Sequence, residues 1–286
     1  MNAGKIASVI LLTLSLLLLT LSLLGCANLD EVREYATESA KFSAYTELTT
    51  RFRDTYEREQ PYLSGEPAQQ AQENDRRRKA AYNDLLKIHR GVALYMQTLA
   101  ILAGEDTFSL SGEIDSLAGG IKAYPDLGID AKHVDALAGI TKTVTKWISA
   151  SRQQNAVRNM VREGHEPLQT TLDGMNSLIR YYRKTNENEH KTVLGFFEVE
   201  MLFLDAPEDK LLEALARAHL QNKVREYSQA QQKYDNAEQG IMRIAEGHRK
   251  LFEGIDKLSS AEIRSAISKF AKDIKSVRQN LQYVHE

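Results

Sequence analysis

Seven histidines, His89, His133, His165, His190, His219, His248 and His285, are the residues of this chain best suited to metal or proton chemistry. They form no HxH, HxxxH or HExxH pair, so no two share one helical turn in the way a metal-binding helix requires. A di-iron bundle needs two ExxH turns plus two further Glu residues facing one core. Only Glu187-Asn188-Glu189-His190 has that spacing, and it lies in the most hydrophilic stretch, where it reads as a solvated helix turn. His248 differs because it falls on an apolar seam. A neutral, hydrogen-bonded imidazole is expected there, and its protonation would loosen the core, since its reference pKa is near 6.5. The sharpest basic run, Arg76-Arg77-Arg78-Lys79, could meet lipid headgroups or an acidic partner. Glu73 and Asp75 precede it, and a helix spreads four consecutive residues around its axis, so it reads as a solvated helix start. There is no GxSxG, P-loop or GxGxxG motif. Carboxylate pairs are scattered over all the helix faces, so nothing singles out an enzyme, and no cofactor or metal is expected.

The sole cysteine, Cys26, excludes an intrachain disulfide, a CxxC redox pair and a thiolate zinc cluster. A formal charge of −2 over 286 residues lacks the basic excess that phosphate contacts demand, so no nucleic-acid partner is expected. Ile6 to Leu24 carries no charge, follows a short segment holding Lys5, and would span roughly 28 Å as a helix. Length alone therefore fits either a retained anchor or a cleaved signal peptide.

The end of that run separates them. Leu23-Leu24-Gly25-Cys26 resembles the lipobox of bacterial lipoprotein precursors, although Leu24 is bulkier than the commonest residue at its position. The resemblance covers only about the first 28 residues. It implies cleavage after Gly25, thioether diacylation of Cys26 and acylation of the new α-amine. Two or three acyl chains suffice for stable anchoring, whereas one does not. Ala27 replaces the Asp that tends to retain such proteins at the inner membrane, so in a diderm bacterium the resemblance implies the outer membrane, facing the periplasm. The expected organisation is a signal peptide over 1–25, a lipidated terminus and short tether over 26–31, and one helical domain over 32–286.

That domain reads as helical almost throughout. Apolar residues step by three and four from Val32 to Phe52, ending near Pro61, and again from Ala81 to Leu102, stopping at Gly104. Further seams run from Tyr227 to Ile255 and from Ile263 to Val284, with amphipathic stretches over Val134–Val161 and Leu168–Leu204. Gly164-His165-Glu166-Pro167 and Asp205-Ala206-Pro207-Glu208 read as breaks, and Ser259 with Glu262 as a capping box. The apolar pieces Val92–Gly104 and Val193–Leu204 read as core helix. Sustained 3–4 alternation predicts an all-α fold, an elongated antiparallel bundle of about five or six long helices.

Two regions depart from the pattern. Ala103–Asp130 concentrates Gly, Pro and Asp, and predicts an irregular cap with a short helix near Gly112 to Tyr124. Arg183–Thr192 puts Asn186 and Glu189 where the seam predicts apolar residues, which leaves a solvated overhang and a kinked connection both open. The function expected from these features is a lipid-anchored, non-catalytic scaffold or interaction module of the envelope, with an envelope protein as partner. The rival expectations are a membrane-perturbing helical protein, or an enzyme or ligand-binding protein with its site near the Ala103–Asp130 cap.

Overall fold

The computed structural model describes residues 29–43, 45–105, 110, 114–117, 119–150, 154–204 and 207–283. The lipobox residues, with Gly25 and Cys26, lie outside the described residues, as does part of the cap. The fold is an all-α bundle, and among the described residues there is no β-strand, only an isolated bridge between Tyr124 and Ile129. Three helices dominate: α4 (Gly65–Leu102), α6 (Gln154–Glu200) and α7 (Lys210–Glu253). At 1.5 Å per residue they run about 55–70 Å. Shorter helices complete the bundle: α1 (Asp30–Ser43), α2 (Glu47–Arg53), α3 (Thr55–Glu59), α5 (Ala131–Trp147) and α8 (Ala261–Tyr283).

Helix α1 is the centre of the lower bundle, packed among α4, α7 and α8, with Tyr35, Ala36, Ser39 and Ser43 completely buried. Its rings set the register. Phe42 lies on Gly240 and Tyr35 on Gly247, seven residues apart on each helix, so that a Cβ at either glycine would overlap a ring. The Tyr35 hydroxyl donates to the Ile244 carbonyl at 2.6 Å. On the opposite side Tyr95 of α4 fits a third notch at Gly164 of α6. Consecutive long helices run antiparallel. The ring closes through α1 and α8, which run parallel, as the ion pairs Glu31–Arg264 and Glu38–Arg278 require.

Several boundaries differ from the sequence reading. The Val32–Phe52 seam is two helices, α1 and α2, with α3 following toward Pro61, because the chain bends to bring Phe52 onto Tyr182 of α6, stacked at 4.4 Å. Carbonyls released at that bend are taken up by side chains: Thr55 donates to Phe52 and Arg58 to Arg51. Gly164–Pro167 is no break, for α6 continues through Pro167. The proline ring sits against Gly139 of α5 while Tyr95 occupies the Gly164 notch, so neighbours hold both halves in line despite the missing N–H. The Val134–Val161 stretch divides after Trp147, with α6 beginning at Gln154. The first turn of α8 is capped by Ser260, whose Oγ accepts the Ile263 N–H, rather than by Ser259. In the cap, a single turn at Asp115–Leu117 lies within the Gly112–Tyr124 stretch that predicts a short helix, and a second turn, Pro125–Leu127, follows it. Gly128, at φ +77°, closes the second so that Tyr124 and Ile129 exchange backbone hydrogen bonds.

The glycine notches reverse an ordinary expectation. Gly→Ala inside a helix usually stabilises by about 1 kcal/mol, but overpacking costs about 1–3 kcal/mol. Gly240→Ala and Gly247→Ala should each lower the urea midpoint by displacing α1. Gly195→Ala, where an added Cβ meets open space, should raise it. A gain at Gly240 would refute the ring-in-notch packing.

Candidate functional site

The Arg183–Thr192 stretch is continuous helix within α6, and the two polar residues on its seam, Asn186 and Glu189, face inward while Lys184, Asn188 and Lys191 face solvent. The Glu189 side chain has no solvent exposure. Its two oxygens accept Nε and Nη2 of Arg58, both at 2.8 Å, and Oε1 also accepts the Tyr227 hydroxyl at 3.0 Å. Beside it, Arg51 donates to Asn186 and to Glu226, and Glu226 also accepts Lys223. A fork-to-fork arginine–carboxylate pair of this kind is the geometry in which a buried charge is tolerated. The expectation of a solvated Glu187–His190 turn is therefore corrected at Glu189. Two arginines of the short α2–α3 strap supply the partners that periodicity could not see.

This polar layer separates two cores. Below it lies the main core of α1, α4, α6, α7 and α8. Above it Val193, Phe197 and Tyr227, with Tyr62 and Leu220 against them, form a small second core at the base of the α6–α7 hairpin. Tyr62 ends the strap there and hydrogen-bonds His219 at 2.7 Å.

Next to the layer is a cavity of about 460 Å³ walled by four elements. The strap contributes Phe52, Thr55 and Glu59, helix α4 contributes Asn74, Arg77 and Arg78, the cap turn contributes Tyr124 and Leu127, and α6 contributes Tyr181, Thr185 and Asn188. The cap wall is pinned to α4, since Asp84 accepts both the Tyr124 hydroxyl and the Lys122 N–H. Arg78 corrects the reading of Arg76–Lys79 as wholly solvated, being only 8% exposed. Its Nε and Nη2 are buried without a hydrogen-bond acceptor, and the nearest carboxylate oxygen, on Glu59, is 4.0 Å away. Burial pushes the Arg78 guanidinium below its ordinary value despite Glu59 and Asp75, and burial likewise raises Glu59. Arg76, Arg77 and Lys79 remain on the surface with Glu73 and Asp75 as partners.

His248 is where the seam places it, fully buried. Its Nε2 is 2.9 Å from the Tyr95 hydroxyl and its Nδ1 is 3.2 Å from Nδ1 of His165. Only one proton fits between those two nitrogens, so the two imidazoles cannot both be charged. Burial pushes His248 down to about 3, with His165 adding to the effect, and burial alone takes His89 down to about 4. Among the described residues, no group of three or more His, Cys, Asp or Glu is placed to hold a metal ion.

The hairpin tip is the other unusual surface. Val193 and Phe197 are core as expected, but Leu202 is 77% exposed, Phe203 72% and Leu211 73%, with Val199, Leu212 and Leu215 exposed beside them. Periodicity predicts a core helix with one polar edge over Val193–Leu204; in its second half Met201 still packs on the small core, but Val199, Leu202 and Phe203 are bare. Around the tip, among the described residues, Glu198, Glu200, Glu208, Asp209 and Glu213 outnumber Lys210 and Arg217. A scan against protein-family models finds no match, and comparisons with curated proteins and with solved structures find none either.

Two predictions follow from the buried groups. Glu189→Ala strands Arg58 and should cost about 3–5 kcal/mol, whereas Glu189→Met combined with Arg58→Met should recover most of it. Equal losses in the two variants by urea unfolding would contradict the pairing. Unfolded, both histidines titrate near 6.5, and folded, they stay neutral to about 3 and 4. Above pH 6.5 neither state binds the protons. As pH falls below 6.5 only the unfolded chain does, so stability declines by up to about 1.4 kcal/mol per pH unit for each histidine. The loss levels off as the folded values are reached. His248→Gln should halve that slope between pH 6 and 4.5, and an unchanged slope would show that His248 is not its source.

Proposed function

We propose that this chain is a lipid-anchored periplasmic bundle working as a non-catalytic scaffold, with the α6–α7 tip as its docking end for an envelope protein. The observation that carries this reading is the cluster Leu202, Phe203, Leu211, Leu212 and Leu215, exposed together at the end of a long hairpin. Large apolar side chains left exposed at one end of a hairpin are a feature of interaction sites. Polarity along the bundle supports the same arrangement. Tyr35 meets Ile244, Arg51 meets Glu226 and Tyr62 meets His219, so the chain climbs from the base toward the tip as it leaves α1. The span of α7 from Ile244 to Lys210 is about 50 Å. A Cys26 lipidated as the lipobox resemblance implies would hold the base at the membrane and carry the tip far from that bilayer.

The acidic rim favours a partner with an apolar cleft edged by Lys or Arg, and disfavours insertion into an anionic bilayer. Among the described residues no helix is long and apolar enough to cross a membrane. Confinement of both partners to one envelope raises their effective concentration, so a modest interface suffices.

The test is cross-linking in intact cells with a C-terminal tag, comparing wild type with a Leu202→Glu, Leu212→Glu double variant. One dominant envelope protein should co-purify from the outer-membrane fraction, and its yield should fall at least about tenfold in the variant while the melting temperature holds. Undiminished capture by the variant, or no partner above background, would sink the docking role. In the same cells Cys26→Ser should accumulate as uncleaved precursor by intact mass, and normal maturation would remove the anchor.

A further inference from the structure

The tip leaves the cavity beside the polar layer without a task, although its construction is that of a ligand site. Its volume of about 460 Å³ falls within the range of small-molecule pockets. It lies beside the cap that the sequence marks as irregular, and its walls come from four separate elements. Phe52 and Tyr124 line it, and Tyr181 stands edge-on to Phe52 at 5.7 Å. Such rings give a flat apolar body specific faces and edges to pack on. Asn74, Thr185 and Asn188 add hydrogen-bonding groups. The decisive residue is Arg78. A guanidinium this buried has the Phe52 ring at 5.9 Å and Glu59 at 4.0 Å beside it, yet two of its nitrogens lack hydrogen-bond acceptors. Its lowered proton affinity has the same cause.

We propose that this cavity binds a small organic monoanion, a carboxylate on a flat apolar body, with Arg78 receiving the carboxylate and Phe52, Tyr124 and Tyr181 enclosing the body. Arginine is suited to this because its planar fork meets a carboxylate through two parallel hydrogen bonds. A dianion such as a phosphate monoester is disfavoured because Glu59 and Asp126 share the lining with Arg77 and Arg78, leaving no net positive charge. The Asp84 contacts to Tyr124 and Lys122 hold the cap wall in place before a ligand arrives. Retaining Arg78 carries a stability cost that a binding role accounts for and a packing role does not.

The experiment uses the full chain in detergent, titrated calorimetrically with 4-hydroxyphenylacetate, indole-3-acetate and cinnamate. The uncharged 4-hydroxyphenylacetamide and the dianion phenyl phosphate serve as comparisons. At least one carboxylate should bind saturably at one per chain, and about tenfold or more tighter than the amide or the phosphate. Arg78→Gln should weaken that binding at least about tenfold while keeping or raising the melting temperature. Ala80→Trp, at the exposed rim of the cavity, should block binding with Arg78 intact, and it carries the test should Arg78→Gln fail to fold. No saturable binding by any of the three carboxylates would overturn the proposal. So would equal affinity for the amide, tighter binding of the phosphate, or binding that survives Ala80→Trp. None of these outcomes bears on the tip, whose docking is read separately.

Discussion

Glu189 lies deep in α6, its carboxylate wholly buried and gripped by both nitrogens of the Arg58 fork and by the Tyr227 hydroxyl. Three elements distant in sequence meet at this one anion: the strap after α1, the middle of α6 and the upper part of α7. Without Arg58 the carboxylate would lose its closest compensating charge in the interior, and without Glu189 the strap would lose one of its ties to the bundle, beside those of Phe52 and Arg51. The strap supplies one wall of the cavity through Phe52, Thr55 and Glu59, and ends at Tyr62 under the hairpin. Both candidate functional surfaces therefore depend on the same pair.

The bundle below is organised by a different constraint, the fit of large rings into missing side chains. Tyr35, Phe42 and Tyr95 occupy notches at Gly247, Gly240 and Gly164. The α1 rings fit only where α7 has a glycine, so a slip of α1 along α7 by one or a few residues would drive them into Cβ atoms. The same packing explains how α6 tolerates Pro167. A proline in an isolated helix forfeits a hydrogen bond and invites a bend, but here α4 and α5 clamp the turns on either side.

The two surfaces divide the molecule by chemistry. The tip is apolar, acidic at its edge and at the far end from α1, which suits a macromolecular contact. The cavity is a half-open cleft with aromatic walls, and holds one poorly paired cation, which suits a small anion. The polar layer adjoins the cavity and the base of the hairpin together, through α6 and the strap.

The helical class, the long seams, the buried and neutral state of His248 and the irregularity of Ala103–Asp130 were all legible in the sequence. Local periodicity reports which face of a helix is apolar, and breakers report where chain geometry changes. Asn186 and Glu189 were legible only as an anomaly, polar residues on an apolar seam, since their partners Arg51 and Arg58 lie more than a hundred residues away. Arg78 looked solvated because a run of four basic residues hides which one turns inward. The apolar end of α6 looked like core because periodicity cannot tell whether a neighbouring helix is present to cover it. The proposal that Cys26 is lipidated comes from the resemblance of a short linear motif, Leu23-Leu24-Gly25-Cys26. Which charges pair, which glycines receive rings, where the cavity opens and which apolar residues stay bare were decided by the tertiary structure. Each depends on how side chains from separate helices meet, and that distance is not encoded in any single stretch of chain.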